Sequence, residues 1–390
     1  MKITRVTAQR LECPVAEGER NVSDYGPMET LSTVLVRIET DAGITGIGET
    51  KAGGSPASAD ASIAAIINGD LGPQLIGEDP RDITRLWEKL YNGKRADAAA
   101  RAGRAMPALG RRGLSICALG GIDIALWDLL GKATGQPVWR LLGGKTKPTL
   151  PVYASGGWGP AEKIGDELRL YLDRTGAKAI KMRVGAKYGA VDASIARVEA
   201  ARRAIGPDIE LMVDAHGTFS PVEAKIFARA TESARLRWFE EPMTGDAKRE
   251  FAGLRAASPC AIAGGENDFT RFDYVPYLDA SALDVFQPDL GVCGGITEAR
   301  RIGELAGAFQ IEVSPHVWGG TVQAAASAHF AISCPSVAIF EYPAASNPAF
   351  RALASGGFAL ADGRLSVDDK PGLGLDLDET YIARCAVYNP

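Results

Sequence analysis

The chain has 390 residues, more than one ordinary compact core accommodates, so we expect two domains or one large barrel with additions. Hydrophobic residues make up 46% of the sequence and charged residues 23%, which is typical of a soluble globular protein. The net charge of -5 provides no attraction to nucleic acid or to anionic membranes, and we expect neither as a partner.

The first 50 residues alternate between apolar and polar side chains around an Asp-Ala-Gly turn, which predicts antiparallel strands. Residues 58–92 have helical periodicity that ends at Gly93. Together these elements predict an α+β domain over residues 1–130. The amino terminus has no apolar signal-peptide core, no run of about 18 apolar residues predicts a transmembrane helix, and six scattered cysteines indicate reduced thiols. We therefore expect a cytoplasmic protein.

Residues 94–112 carry one lysine and five arginines among alanines and glycines. Such a charge run is typical of a solvated loop or a subunit contact, and a cationic lid over an anionic substrate is the functional alternative. The next segment, LSICALGGIDIALWDLLGKATG, is apolar on almost every side. This pattern predicts a buried helix that joins two structural units.

From residue 149 onward, short apolar segments alternate with amphipathic helices. Eight such segments spaced by about 25 residues predict a (β/α)-barrel over residues 131–355, and the Gly- and Asp-rich residues 356–390 are expected to pack back on the amino-terminal domain. The predicted fold class is therefore α/β, a modified barrel with an α+β capping domain. The predicted strands are 150–156, 179–185, 210–217, 237–242, 261–267, 284–291, 311–320 and 338–343.

Nearly every predicted strand ends in an ionisable side chain, and active sites of such barrels lie at the carboxyl ends of the strands. Asp214, Glu240 and Glu266 come from three successive strands. We expect them to form an oxygen-ligand site for Mg²⁺, because buried like charges without a cation would be costly. Zinc is disfavoured because no cysteine or paired histidine accompanies the carboxylates.

A series of motifs spans nearly the whole chain in a specific order: GIDIALWDLLGKATGQPVWRLLGG, IKMRVG, LMVDAHG, WFEEP, AGGEN, QPDLGVCGGITEARRI, SPHVWGG and FEYP. With these motifs the chain resembles the enolase superfamily, in its mandelate racemase-like subgroup. The resemblance implies abstraction of a proton α to a carboxylate. It also implies Asp214, Glu240 and Glu266 as Mg²⁺ ligands, and a homo-oligomer, often an octamer.

The resemblance implies roles for five further side chains. Asp289 and His316 match an Asp–His dyad in which the carboxylate raises the basicity of the imidazole. Glu341 matches a last-strand glutamate that binds a substrate carboxylate oxygen, and it would do so protonated. Lys181 matches the first lysine of a Lys-x-Lys pair that helps to hold the substrate carboxylate. Glu241 is expected to support the ligands rather than to bind the metal.

Two positions depart from the racemase pattern. Arg183 replaces the second lysine of the pair, and a guanidinium stays protonated, so it is a poor second base; Lys181 could substitute if rotated inward. His216 stands where many relatives have asparagine. Because residues i and i+2 share one side of a strand, we expect His216 to face the metal site beside Asp214. The resemblance to galactonate dehydratase-type members implies a general acid there; a polar residue hydrogen-bonded at the barrel mouth is the alternative.

These departures favour a Mg²⁺-dependent dehydratase of a sugar acid, an aldonate or an aldarate. His316 would remove the α-proton, Lys181 and Arg183 would help to stabilise the enediolate, and His216 would protonate the departing 3-hydroxyl to leave a 2-keto-3-deoxy acid.

An isomerase is the alternative, as a racemase, an epimerase or a sugar-lactone cycloisomerase. RRGLSICALGGIDIALWD and PHVWGGTVQAAA look similar to galactarolactone cycloisomerases, although these relatives are expected to carry Lys-x-Lys and Asp-Ala-Asn. A non-catalytic binding protein is disfavoured by the intact triad and dyad.

Two loops of the amino-terminal domain and one histidine carry the remaining expectations. Residues 15–30 and 50–57 are expected to form loops that set substrate identity, with Tyr25, Met28 and Lys51 as candidates for lining the pocket. His329, in QAAASAHFAI, lies among small apolar residues at helical spacing, and we assign it to packing.

Overall fold

The computed structural model describes residues 1–20, 22–23, 26–52, 57–104, 110–185 and 191–387. The capping domain is built on an antiparallel sheet with the strand order β1-β4-β5, as the alternation predicts. Its strands are β1 (Ile3–Pro14), β4 (Thr30–Thr40) and β5 (Thr45–Thr50), with a short hairpin of β2 (Val22–Ser23) and β3 (Gly26–Pro27) between β1 and β4. Its helices include α1 (Ala57–Ile66), α2 (Ile83–Asn92) and α3 (Lys94–Arg101).

Helix α4 (Leu114–Thr134) packs between the capping sheet and the barrel, and most of its residues are buried. Among the described residues it is the one helix long and apolar enough on average to cross a membrane, although Asp123, Asp128 and Lys132 interrupt its apolar residues. Its apolar surface instead lies against β5, where a Cβ on Gly48 would lie 2.0 Å from the carbonyl oxygen of Gly121. Asp128 of α4 accepts hydrogen bonds from the backbone N–H groups of Ile47 (2.9 Å) and Leu373 (2.8 Å). This contact pattern is that of a core helix.

Eight parallel strands follow and close into a barrel, which confirms the predicted fold class. The strand β13 pairs with β6, and a bridge between Val313 and Val337 joins the other side. The barrel strands are β6 (Leu150–Gly156), β7 (Ala179–Arg183), β8 (Glu210–Asp214), β9 (Leu236–Glu240), β10 (Ala261–Gly264), β11 (Val285–Phe286), β12 (Glu312–Val313) and β13 (Phe340–Pro343). Most are shorter at their carboxyl ends than predicted, because the residues there turn into the loops of the site.

Helices alternate with these strands, as the sequence period predicts, and α13 among them is buried over almost its whole length. They are α5 (Val138–Leu141) before β6, and then α6 (Ile164–Thr175), α7 (Val191–Ile205), α8 (Pro221–Ala230), α9 (Lys248–Arg255), α10 (Thr270–Ala280), α11 (Leu290–Cys293), α12 (Gly295–Ala308) and α13 (Thr321–Ser333).

The carboxyl-terminal segment contacts both domains. The strand β16 pairs with β6 of the barrel, while the backbone N–H of Val387 donates to the carbonyl of Arg10 in the capping sheet at 3.1 Å. The division of the chain at residues 130 and 355 stays a prediction, since residue 130 lies inside α4. The elements after β13 are α14 (Pro348–Ala352), β14 (Ala354–Gly356), β15 (Phe358–Ala361), β16 (Arg364–Val367), β17 (Leu375–Leu377) and α15 (Glu379–Cys385).

His329 of α13 is fully buried and joins three parts of the chain, in agreement with its assignment to packing. Its Nδ1 atom accepts the backbone N–H of Trp139 at 3.0 Å, and its Nε2–H donates to the carbonyl of Leu373 at 3.3 Å. One nitrogen must accept and the other must donate, so the imidazole is neutral. Burial lowers the pKa of His329 to about 4.

We expect His329 to make the protein sensitive to acid. Because its pKa is lower in the folded protein than in the unfolded chain, protons bind the unfolded chain first as the pH falls from 6.5 to 4. The free energy of unfolding should therefore fall over this range by up to about 3 kcal/mol. Urea unfolding at pH 4.5, 5.5 and 7 measures this loss. His329→Gln should be less stable at pH 7 but should have a flatter dependence on pH; equal slopes would contradict the prediction.

Candidate active site

Three carboxylates meet at the carboxyl ends of adjacent barrel strands. Asp214 and Glu240 end β8 and β9 and are neighbours in the sheet register, and Glu266 lies two residues beyond the end of β10. Each side chain is buried and offers an oxygen within 4.8 Å of the oxygens of the other two. The structure thus brings together the three residues that the sequence suggests as metal ligands.

The carboxylate cluster has the properties of a site for a hard cation. Burial, with the charges of Asp214, Glu341 and Glu266, raises the pKa of Glu240 to about 7 against the opposing effect of Lys181. Among the described residues, the buried Oε2 atom of Glu266 has no hydrogen-bond partner. An all-oxygen donor set with repelling charges and an unpartnered carboxylate oxygen fits Mg²⁺ rather than zinc.

Two cations of β7 lie among these carboxylates. The buried Nζ atom of Lys181 forms an ion pair with Glu240 Oε1 and lies 2.9 Å from Glu341 Oε1. Burial lowers the pKa of Lys181, but the charges of Glu240 and Glu341 outweigh it and raise the pKa well above its usual value. Arg183 Nη1 lies 2.7 Å from Asp214 Oδ2. Both side chains are therefore fixed positive charges beside the cluster.

Glu341, the second residue of β13, pairs with Lys181, and its protonation beside a substrate carboxylate stays a prediction. Burial raises its pKa, but Lys181 and His316 outweigh that effect and hold the pKa below its usual value. The backbone N–H of Val317 also donates to Glu341 Oε2 at 2.7 Å. The motif match alone gives no indication that Lys181 forms an ion pair with this carboxylate.

Asp289 and His316 form the dyad that the sequence suggests. His316 Nδ1 lies 2.7 Å from Asp289 Oδ2, and this contact leaves Nε2 facing the carboxylate cluster, 3.6 Å from Glu266 Oε2. Burial raises the pKa of Asp289, but Lys51 and His316 outweigh it, so the carboxyl is charged. Burial lowers the pKa of His316, but Glu266, Glu341 and Asp289 raise it to about 9.

His216 reaches the site by a route other than strand alternation. The strand β8 ends at Asp214, and His216 lies in the turn that follows with a φ of 51°. Its backbone N–H donates to Asp214 Oδ1 at 2.8 Å, and its Nε2 lies 3.7 Å from Glu266 Oε1. The reasoning from a shared strand face was wrong, although the side chain does approach the carboxylates.

Sequence reasoning missed two side chains that hold Glu240. Its Oε2 atom accepts from Gln287 Nε2 at 2.6 Å and from Trp238 Nε1 at 3.1 Å. Gln287 could have been predicted as a site residue, because it directly follows a barrel strand and lies two residues before Asp289. Glu241, by contrast, accepts the backbone N–H of Gly265 at 2.7 Å, which agrees with a supporting role.

The candidates from the capping domain have different outcomes. Lys51 Nζ lies 3.7 Å from Asp289 Oδ2 and thus belongs to the site. Tyr25 lies outside the described residues, and the half-buried Met28 stays a prediction. The segment 15–30 does approach the barrel mouth, because the hydroxyl of Ser346 donates to Glu19 Oε2 at 2.6 Å.

Part of the basic segment 94–112 is the helix α3 rather than a loop, and residues 105–109 lie outside the described residues. Arg111 Nη1 donates to Asp70 at 2.6 Å, and Arg112 donates to the hydroxyl of Tyr91 at 2.7 Å. These two arginines therefore bind capping-domain residues. The cationic lid stays a prediction.

The chain is similar to known proteins in both sequence and structure. A family model described as "Enolase C-terminal domain-like" matches residues 163–381, and the model "Mandelate racemase / muconate lactonizing enzyme, N-terminal domain" matches residues 15–143. The chain is 33% identical to D-galactarolactone cycloisomerase of Agrobacterium fabrum, with 100% of both chains covered. It is also 33% identical to D-galactonate dehydratase of Ralstonia nicotianae, with 98% of this chain and 94% of the relative covered.

A solved structure adds a geometric match. The crystal structure of a racemase from Streptomyces coelicolor with bound magnesium superposes with a TM-score of 0.84 at 30% sequence identity. The superposition covers 99% of this chain and 100% of that chain.

We expect Mg²⁺ binding to depend on pH through Glu240. Its pKa is about 7, and a carboxyl must lose its proton before it binds a metal. The apparent Kd for Mg²⁺ should therefore fall about tenfold between pH 5.5 and pH 6.5. Isothermal titration calorimetry measures this, with Glu210→Gln, an exposed carboxylate at the far end of β8, as the matched control. A Kd independent of pH would contradict the assignment.

Proposed function

Because the chain belongs to the mandelate racemase and muconate lactonizing enzyme family of the enolase superfamily, we propose that it is a Mg²⁺-dependent dehydratase of a sugar acid. The substrate is an aldonate or an aldarate, and the product is a 2-keto-3-deoxy acid. Asp214, Glu240 and Glu266 would hold the metal, which when bound would supply positive charge that makes the α-proton of the substrate acidic.

The observation that carries this proposal is the placement of two imidazoles on the two oxygens of one carboxylate. His316 Nε2 lies 3.6 Å from Glu266 Oε2, and His216 Nε2 lies 3.7 Å from Glu266 Oε1. Loss of water across two adjacent carbons needs a base at one carbon and an acid at the next. Two imidazoles on one carboxylate can serve neighbouring carbons of one bound substrate.

His316 is suited to be the base. Its Nδ1 atom is committed to Asp289, so Nε2 is the nitrogen that takes the α-proton. A cation at Glu266 would offset a charge that raises the pKa of His316, and this would free Nε2 of its proton at a lower pH. Lys181 would provide fixed positive charge where the substrate carboxylate becomes an enediolate.

His216 is suited to be the acid. It would donate a proton to the 3-hydroxyl, which leaves as water, and the resulting enol would tautomerise to the 2-keto acid. Arg183, which pairs with Asp214, stays protonated and therefore does not serve as a second base for racemisation.

A cycloisomerase is the second candidate, and the match that favours it is the full-length one with D-galactarolactone cycloisomerase. The two reactions differ in mass balance, because dehydration loses water and isomerisation does not. A screen of aldonates, aldarates and their lactones with Mg²⁺, followed by mass spectrometry and by a carbonyl-specific reagent, separates them.

We further propose that the protein acts in the cytoplasm as a homo-oligomer, an octamer being one option, with a small carboxylate as its partner. The six free cysteines support a reducing compartment, and the resemblance to the family supports the oligomer.

We expect the two histidine variants to divide the reaction into its two steps. In D₂O with Mg²⁺ and the substrate found by the screen, His316→Asn should lower both α-proton exchange and water loss about 10³-fold. His216→Asn should lower water loss by a similar factor while exchange continues, because the base remains. Proton NMR follows both processes, and His329→Gln is a matched control outside the site.

Other outcomes would each contradict a part of the proposal. Rapid exchange in His316→Asn would identify Lys181 as the base. Full water loss in His216→Asn would leave that residue with a hydrogen-bonding role only. Turnover without loss of water in the unaltered protein would assign the chain to the isomerases, and the mass and structure of the product would separate a cycloisomerase from a racemase or an epimerase.

A further inference from the structure

The carboxylate of the dyad is held at both oxygens. Asp289 Oδ2 contacts His316, while Oδ1 accepts the backbone N–H of Gly291 at 2.8 Å and a short hydrogen bond from Gln323 Nε2. Gln323 is fully buried and lies in the first turn of α13. Asp289 can rotate only if this amide moves, so Gln323 limits the directions in which His316 can point.

The same residue is tied to the capping domain. The backbone N–H of Gln323 donates to Glu49 Oε2 at 2.9 Å, and the backbone N–H of Gly320 donates to Glu49 Oε1 at 2.6 Å. Glu49 is a fully buried residue of β5, and the hydroxyl of Thr33 donates to its Oε1 at 2.7 Å. A carboxylate at this helix end is favoured by the free N–H groups and by the helix dipole.

Two glycines before α13 let Gln323 and Glu49 lie close to the backbone. A Cβ on Gly319 would lie 1.6 Å from Gln323 Oε1, and a Cβ on Gly320 would lie 2.5 Å from Glu49 Oε1. Among the described residues, Gln323 Oε1 is buried without a hydrogen-bond partner, which is an unfavourable arrangement. The amide therefore lies where its Nε2 donates to Asp289, although its oxygen has no hydrogen-bond partner.

We propose that Gln323 is a positioning residue that transmits the docking of the capping domain, through Glu49, to the orientation of Asp289 and His316. The imidazole of His316 then has the correct orientation only while β5 is packed against the start of α13. Lys51, two residues after Glu49, adds a direct contact from the same strand end to Asp289 Oδ2 at 3.7 Å. The expected effect on turnover rests on the proposed role of His316 as the base. The effect of Glu49 and Gln323 on the orientation of His316 does not depend on that role.

The test uses the full chain labelled with ¹⁵N-histidine. Only three histidines occur, so the ring signals can be assigned with His216→Asn, His316→Asn and His329→Gln. The Nδ1–H proton of His316, hydrogen-bonded to Asp289, is the reporter. Gln323→Met keeps the size of the side chain and removes the donor, and Glu49→Gln changes the capping-domain partner. Ser327→Ala, one turn further along α13 and also buried, is the matched control.

We expect Gln323→Met and Glu49→Gln each to shift the His316 signal and to speed its exchange with solvent, while the His329 signals stay unchanged. Turnover and α-proton exchange should fall about 10- to 100-fold in kcat with less than about a threefold change in KM, because the base and not substrate binding is affected. The double variant should show less than the sum of the two effects. Ser327→Ala should match the unaltered protein.

Wild-type His316 signals in Gln323→Met would overturn the proposal. If Gln323→Met does not fold, Glu49→Gln carries the test alone, and an unchanged His316 signal in it would be equally decisive. Equal effects of Ser327→Ala would reduce Gln323 to a packing residue. A shifted His316 signal in a protein that dehydrates no sugar acid would leave the coupling intact and would reject only the proposed reaction.

Discussion

Electrostatic repulsion within a buried carboxylate cluster is the constraint on which the site depends. Asp214, Glu240 and Glu266 lie within 4.8 Å of one another because parallel strands of a barrel end at one rim. Their repulsion in a buried setting has to be offset by positive charge. Lys181 and Arg183 supply it from the neighbouring strand, and a divalent cation would complete it. The position of these two cations on β7 is thus as much a requirement of folding as of chemistry.

The same charges decide which imidazole is basic. His316 faces Glu266 and Glu341 and is backed by Asp289, and together these carboxylates outweigh the effect of burial and raise its pKa to about 9. His329 is fully buried and has only backbone hydrogen-bond partners, and its pKa falls to about 4. Two imidazoles of one barrel therefore differ by several pKa units because carboxylates surround only one of them. A metal ion bound at Glu266 would compete with the proton on His316, which would couple the proposed cofactor to the base.

Strand positions and the residues at their ends could be predicted from the sequence because both depend on local pattern. The eight barrel strands and the grouping of Asp214, Glu240 and Glu266 follow from period and order along the chain. The turn that carries His216 could not be predicted from the sequence. The residues after Asp214 keep the alternating pattern of a strand, although the backbone leaves the sheet at Asp214. The ion pair between Lys181 and Glu341 joins residues on different strands, and the hydrogen bond between Glu49 and Gln323 joins residues 274 positions apart. Contacts of this kind arise only when elements dock, and they leave no local signature.

The strand β5 shows how one element can separate binding from catalysis. Three of its residues form hydrogen bonds with other elements. The backbone N–H of Ile47 donates to Asp128, and Glu49 accepts the backbone N–H of Gly320 before α13. The hydroxyl of Thr50 donates to the carbonyl of Gly291 at 2.7 Å. The loop expected to recognise the substrate begins directly after these contacts. Changes after Lys51 would therefore alter substrate recognition without moving the base, whereas Lys51 itself contacts Asp289 Oδ2 at 3.7 Å. Changes at Glu49 itself would instead move the base, because Glu49 holds the backbone of Gln323 and the side chain of Gln323 holds Asp289.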